Sequence, residues 1–129
     1  MTTATPSLTN GASPLLALGV FSAAGSSGQA SGAQYQSRRA SLRSSAARFG
    51  EQLAHTVAMR FVIATHETAS IHDEQTRHGD IVLLRVTETR FNCALKLLLW
   101  LEHCSKSFPS TPFYGIADDD TYLQTYSSS

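Results

Sequence analysis

The sequence predicts an α/β fold built on a parallel sheet with flanking helices. Three observations carry this. Short apolar runs alternate with segments of helical character from Ser37 onward, the pattern of strands joined by helical crossovers. Those runs are close to continuously apolar, as suits strands covered on both faces. The last of them, Phe113-Tyr114-Gly115-Ile116-Ala117, stops at three consecutive carboxylates, Asp118, Asp119 and Asp120. A strand buried on both faces meets solvent at its end, and in open α/β sheets ligands bind outside the carboxyl ends of the strands.

The bulk properties set bounds. A chain of 129 residues makes one small domain. Ten basic and ten acidic side chains cancel, so net charge points to no nucleic acid and no membrane surface. The charge is unevenly spread: Met1 to Ser37 carries none, and four arginines then fall between Arg38 and Arg48.

Residues 1–36 are dominated by Ser, Ala, Gly and Thr. Such a composition buries too little apolar surface to offset the entropy of ordering the backbone, so it reads as disordered. The apolar run Pro14 to Ala24 is too short to cross a bilayer, which takes about 20 residues. It resembles the core of a signal sequence, but the basic residues that precede such a core are missing.

The next segment, Ser37 to Phe49, reads as helical. Ser37 is a candidate N-cap, and Leu42, Ala46 and Phe49 share one face. Arg39 and Arg43 share another at i, i+4, where like charges repel unless an anion receives them. That face is either simply solvated or a receiver of phosphate. Val57 to Ala64 is the first clear strand. Thr65-His66-Glu67 is a loop in which His66 is either a ligand or an ordinary surface residue. Thr68 to Arg77 reads as a short polar helix, and His78-Gly79-Asp80 as a turn with Gly79 in the left-handed conformation. Ile81 to Val86 is the second strand. Phe91 to Cys104 reads as a helix apolar nearly all round, and therefore buried. Asn92, Lys96 and His103 make its one polar stripe. Lys96 must snorkel, pair with an acid such as one of Asp118–Asp120, or contact ligand. Phe113 to Ala117 is the third strand.

Three adjacent carboxylates repel one another unless a positive charge lies among them. A hard divalent cation, held by carboxylate oxygens and completed by phosphate oxygens and water, supplies it. Local turn and capping preferences of Asp are the alternative reading. A phosphate-cleaving P-loop fold would need a glycine-rich loop ending in Lys-Ser/Thr, and the sequence has none. On one helix, Cys93 and Cys104 would lie about 16 Å apart at the helical rise, too far for a disulfide, so both read as buried free thiols.

Taken in order, these segments resemble the β-1,3-galactosyltransferase family, the nucleotide-sugar glycosyltransferases that include Fringe. Arg38-Arg39-Ala40-Ser41-Leu42-Arg43 resembles the family's Arg-Arg-x-x-Ile-Arg. Arg60-Phe61-Val62-Ile63-Ala64 resembles its strand Phe-x-x-Gly. Glu74 with His78-Gly79-Asp80-Ile81 resembles Glu-x-x-x-Tyr-Gly-Asp-Ile. Asn92 and Lys96, with Trp100 and Cys104, resemble its Asn-Leu-Thr-Leu-Lys helix and the Trp and Cys beyond. Asp118-Asp119-Asp120-Thr121-Tyr122-Leu123 resembles Asp-Asp-Asp-Val-Phe-Val.

The resemblance covers residues 38 to 123, the first half of a family catalytic domain. It implies an incomplete GT-A type, Rossmann-like fold, with 37–129 as a partial nucleotide-sugar-binding domain. It implies a UDP-sugar donor, a glycan or glycoprotein acceptor, Mn²⁺ or Mg²⁺, and the lumenal side of the Golgi membrane, although no anchor stands out in the sequence. By resemblance, Asp120 is the metal ligand with Asp118 beside it. Asp118 and Asp119 lie near the ribose and sugar, and Arg38, Arg39 and Arg43 near the nucleotide. The departures are Ser44-Ser45 for Thr-Trp, Arg90 for an aromatic, and Ile116 for Lys. The acceptor-binding half, the general base and a further metal-binding His of the family have no counterpart. The expectation is therefore a hexosyltransferase in truncated form, or a catalytically inactive nucleotide- and metal-binding fragment.

Overall fold

Four parallel strands, in the order β3-β2-β1-β4, form the sheet of the computed structural model, which describes residues 13–24, 32–64, 69–87 and 92–120. The elements run β1 (Leu16–Ser22), α1 (Gly32–Ala47), α2 (Gly50–Thr56), β2 (Val57–Ala64), α3 (Ala69–His78), β3 (Ile81–Leu84), α4 (Cys93–Ser107) and β4 (Phe113–Asp118). The chain moves outward from β1 to β2 to β3, then returns across the sheet to place β4 on the other side of β1. A constant crossover hand requires the connecting helix to change faces when the direction of travel reverses. The packing agrees. Leu42 of α1 and Ile71 of α3 pack with Val20, Phe61, Ile63 and Ile81 on one face. Trp100 and Cys104 of α4 pack with Ala17, Val62, Ala64 and Leu84 on the other.

The first strand corrects the sequence reading. Leu16–Ser22 was expected to be disordered, or a signal-like core, and is instead one of the two central strands, hydrogen-bonded to β2 and β4. Its apolar residues are sheltered by neighbours distant in sequence, which composition alone does not register. Of the rest of the segment expected to be disordered, residues 13–15 and 23–24 flank β1, residues 32–36 lie in α1, which begins at Gly32, and residues 1–12 and 25–31 lie outside the described residues. Ser37 is accordingly an interior residue of α1 and not its N-cap. The short α2 has no counterpart in the sequence reading. The expected strands at 57–64 and 81–86 are present, the second ending at Leu84, and Gly79 has φ +66°.

Two burial expectations also fail. β4 is an edge strand, with Phe113 66% and Ile116 49% exposed, because only β1 pairs with it among the described residues. Helix α4 buries Lys96, Trp100 and Cys104 and leaves Leu95, Leu98 and Leu101 in solvent. Trp100 sets its seat on the sheet. The indole Nε1 donates to the Gly115 carbonyl at 3.1 Å. Beneath the ring lies Gly19, where an added Cβ would be 2.5 Å from Cε2.

Candidate functional site

The direction of strand-to-strand travel reverses between β1 and β4, so their carboxyl ends flank the switch point where ligands of open α/β sheets bind. The acids expected at that lip lie there. Phe21 of β1 stands opposite Asp118 of β4, and the Asp119 amide donates to the Phe21 carbonyl at 3.2 Å. Asp118 and Asp120 are exposed, whereas Asp119 is buried between them. The alternation follows from chain geometry: backbone bonding to β1 persists through the Asp119 amide, so its side chain turns inward and its neighbours turn out.

The buried carboxylate is tied on both oxygens. Ser22 Oγ donates to Oδ2 at 2.8 Å, and Arg38 Nη1 lies 3.4 Å from Oδ1. Asp119, which the resemblance puts near the ribose and sugar, has both carboxylate oxygens engaged within the protein. Ser22 has further partners: its hydroxyl accepts from Arg39 Nη1 at 2.9 Å, and its carbonyl accepts from Lys96 Nζ at 3.0 Å. Lys96 also lies 5.0 Å over the Phe21 ring. It neither snorkels nor stands alone; it braces the end of β1 from the α4 side. Ser22 drew no notice in the sequence reading because it sat in the segment taken as disordered.

Arg39 and Arg43, expected near the nucleotide, are committed elsewhere. Arg39 is 1% exposed and grips Glu74 with two parallel bonds of 2.7 Å, from Nε and Nη2. Arg43 bonds Glu74 through Nη2 and Asp80 through Nε and Nη2, each at 2.8 Å. The anion that their i, i+4 spacing demanded is supplied by the protein itself. Burial pushes the Glu74 carboxyl up, but the hydrogen bonds and charges of Arg39 and Arg43 outweigh it and hold it below the ordinary carboxylate value. Glu74 and Asp80 were legible as acids at motif positions; what hid their role was the distance in sequence from α1. Of the three arginines, Arg38 alone keeps a substantial exposed surface at the mouth, with its guanidinium 5.2 Å over the Tyr35 ring.

Among the described residues no three His, Cys, Asp or Glu side chains gather into a metal cage. Asp118 and Asp120 nevertheless fit a hard divalent ion of the kind that keeps water and takes phosphate oxygens alongside one or two protein carboxylates. A concavity of about 950 Å³, lined by Leu16, Leu18, Leu53, Met59 and Phe108 among others, lies toward the amino ends of β1 and β2, away from these carboxylates. His66, Thr121, Tyr122 and Leu123 lie outside the described residues. Among the described residues no helix is long and apolar enough to cross a membrane.

Comparisons with known proteins bear on the same stretch. The sequence pattern of the family described as galactosyltransferase matches residues 37–127. Human N-acetyllactosaminide beta-1,3-N-acetylglucosaminyltransferase 2 is 38% identical over 53 residues, 41% of this chain and 13% of the relative. The beta-1,3-galactosyltransferase brn of Drosophila melanogaster is 34% identical over 65 residues, 49% of this chain and 20% of the relative. The matched part is thus at most a fifth of the length of these relatives. With a four-stranded parallel α/β sheet, an acid-tipped strand at its switch point and a family match over most of its length, the chain belongs to the galactosyltransferase family.

Proposed function

We propose that this chain carries the donor-binding part of a hexosyltransferase of the β-1,3-galactosyl or N-acetylglucosaminyl kind. The donor is a UDP-sugar and the acceptor a glycan hydroxyl, within protein glycosylation on the lumenal side of the Golgi membrane. The observation that supports this best is the pair of exposed carboxylates, Asp118 and Asp120, at the switch point beside β1, with Arg38 next to them.

In this reading Asp120, with Asp118, holds Mn²⁺ or Mg²⁺. When bound, the ion supplies Lewis-acid charge to the departing nucleotide diphosphate. Arg38 offers a fork of donors to the same phosphates. Asp119 keeps the turn in place, and Arg39 and Arg43 act through the fold, not by touching nucleotide. Asp118, which is exposed, is also assigned to the ribose and sugar in this reading. A second reading is a nucleotide- and metal-binding segment without turnover, which uses the same carboxylates.

The test is a titration of UDP into the purified chain with and without MnCl₂. Metal-dependent binding that disappears in Asp120→Ala is expected. Absence of UDP binding in the unsubstituted chain would remove the donor-site reading.

A further inference from the structure

We propose that Ser22 is a positioning residue, the link through which the buried Arg39–Glu74 pair sets the orientation of the Asp118–Asp120 turn; this rests on the donor-site reading above. A continuous line of polar contacts supports it. Glu74, on α3, receives the bidentate Arg39 of α1 at 2.7 Å. Arg39 Nη1 donates to Ser22 Oγ at 2.9 Å, and to the Ala23 carbonyl at 2.8 Å. Ser22 Oγ, its one proton so directed, donates to Asp119 Oδ2 at 2.8 Å. Four residues from α3, α1, the end of β1 and the end of β4 are joined in this order. Ser22, Arg39, Glu74 and Asp119 are all buried, between 1% and 8% exposed.

The direction of the chain of donors matters. Arg39 is a pure donor, so the lone pair it takes on Ser22 leaves the hydroxyl hydrogen free to point only the other way, at Asp119. The hydroxyl thereby acts as a polarity-preserving spacer between a cation and a carboxylate that do not touch. Lys96 at the Ser22 carbonyl clamps the same residue from the opposite face of the sheet. Asp119 is fixed at its amide by Phe21 and at its side chain by Ser22, so its two exposed neighbours have little freedom. Ions held by few protein ligands are sensitive to such supports, whose loss typically lowers metal affinity about 10- to 100-fold.

The test uses the full chain with Ser22→Ala, Ser22→Thr and, as a control for general destabilisation, Ile71→Val in the core away from the mouth. Binding of Mn²⁺ in the presence of UDP is followed by the free-Mn²⁺ electron spin resonance signal. In parallel, ¹⁵N relaxation of the Asp118, Asp119 and Asp120 amides is measured with no ligand present. Ser22→Ala is expected to lose about tenfold in Mn²⁺ affinity and to loosen the three amides. Ser22→Thr, which keeps a hydroxyl, is expected to restore both, while Ile71→Val changes neither at a comparable loss of melting temperature. Unchanged relaxation in Ser22→Ala, or an equal effect in Ile71→Val, overturns the proposal. If the unsubstituted chain binds neither Mn²⁺ nor UDP, the donor-site reading fails by itself. The ligand-free relaxation data then still decide whether Ser22 orders the turn.

Discussion

Two charge clusters lie at either side of α1 and have opposite fates. In the interior, Arg39 and Arg43 face Glu74 and Asp80, and each guanidinium makes two or more bonds of 2.7–2.8 Å to these carboxylates. At the mouth, Asp118 and Asp120 are exposed beside Arg38, whose one carboxylate contact among the described residues is a 3.4 Å approach to Asp119. The first cluster pins α1, α3 and the turn into β3 to one another. The second is held in place but left open. Charges matched inside the fold are structural, and charges the fold positions without matching are the ones available to a ligand.

The largest effect that would break this contrast is on stability. Glu74→Gln leaves two arginines facing a neutral amide inside the protein. Breaking a buried pair on one side costs about 3–5 kcal/mol, a loss measurable by urea denaturation. Asp118→Asn, at the open cluster, is expected to change stability by less than about 0.5 kcal/mol in the same experiment.

The same glutamate sets an acid limb. Its folded-state pKa is held below the ordinary carboxylate value near 4.5. Its contribution is therefore fully present above that pH and is lost as pH falls through the lower folded-state value. Denaturation curves from neutral pH down into that range are expected to fall more steeply for the unsubstituted chain than for Glu74→Gln.

A next, smaller effect concerns the layer that holds the mouth. Gly19→Ala drives a methyl into the Trp100 ring at 2.5 Å and is expected to cost about 1–3 kcal/mol by overpacking. If it costs nothing, Trp100 is not what seats α4 on the sheet.

The smallest effect separates interior from surface by chemistry alone. Cys104 is buried, and its thiol is pushed up to about 11 by loss of solvation, while Cys93 is exposed. At pH 8 a thiol reagent is expected to modify Cys93 quickly and Cys104 only after denaturant is added.

Much of the architecture was legible because it depends on short-range pattern. The runs Val57–Ala64 and Ile81–Leu84, the αL turn at Gly79 and the acid-ended Phe113–Asp118 declare themselves through residue type and spacing. Leu16–Ser22 did not, because a strand with little alternation, set between Ser- and Gly-rich stretches, has no local signature. Helix α4 misled in the other direction: an apolar sequence all round suggested full burial, yet Leu98 is 62% exposed. Burial depends on what neighbours a face, and hydropathy does not encode neighbours.

The sequence by itself determined that this chain forms an alternating α/β fold with carboxylates ending its last strand, since those features follow from periodicity and composition over a few residues. Which acids are internal and which are open was decided only by the tertiary structure. Asp118, Asp119 and Asp120 are chemically identical, and α1 offers three arginines of one kind. Their separation into ties and free groups required Ser22 and Glu74 to arrive from 97 and 35 residues away, from Asp119 and Arg39 respectively. Contacts at such range are made by the packing of whole elements, which no local pattern specifies.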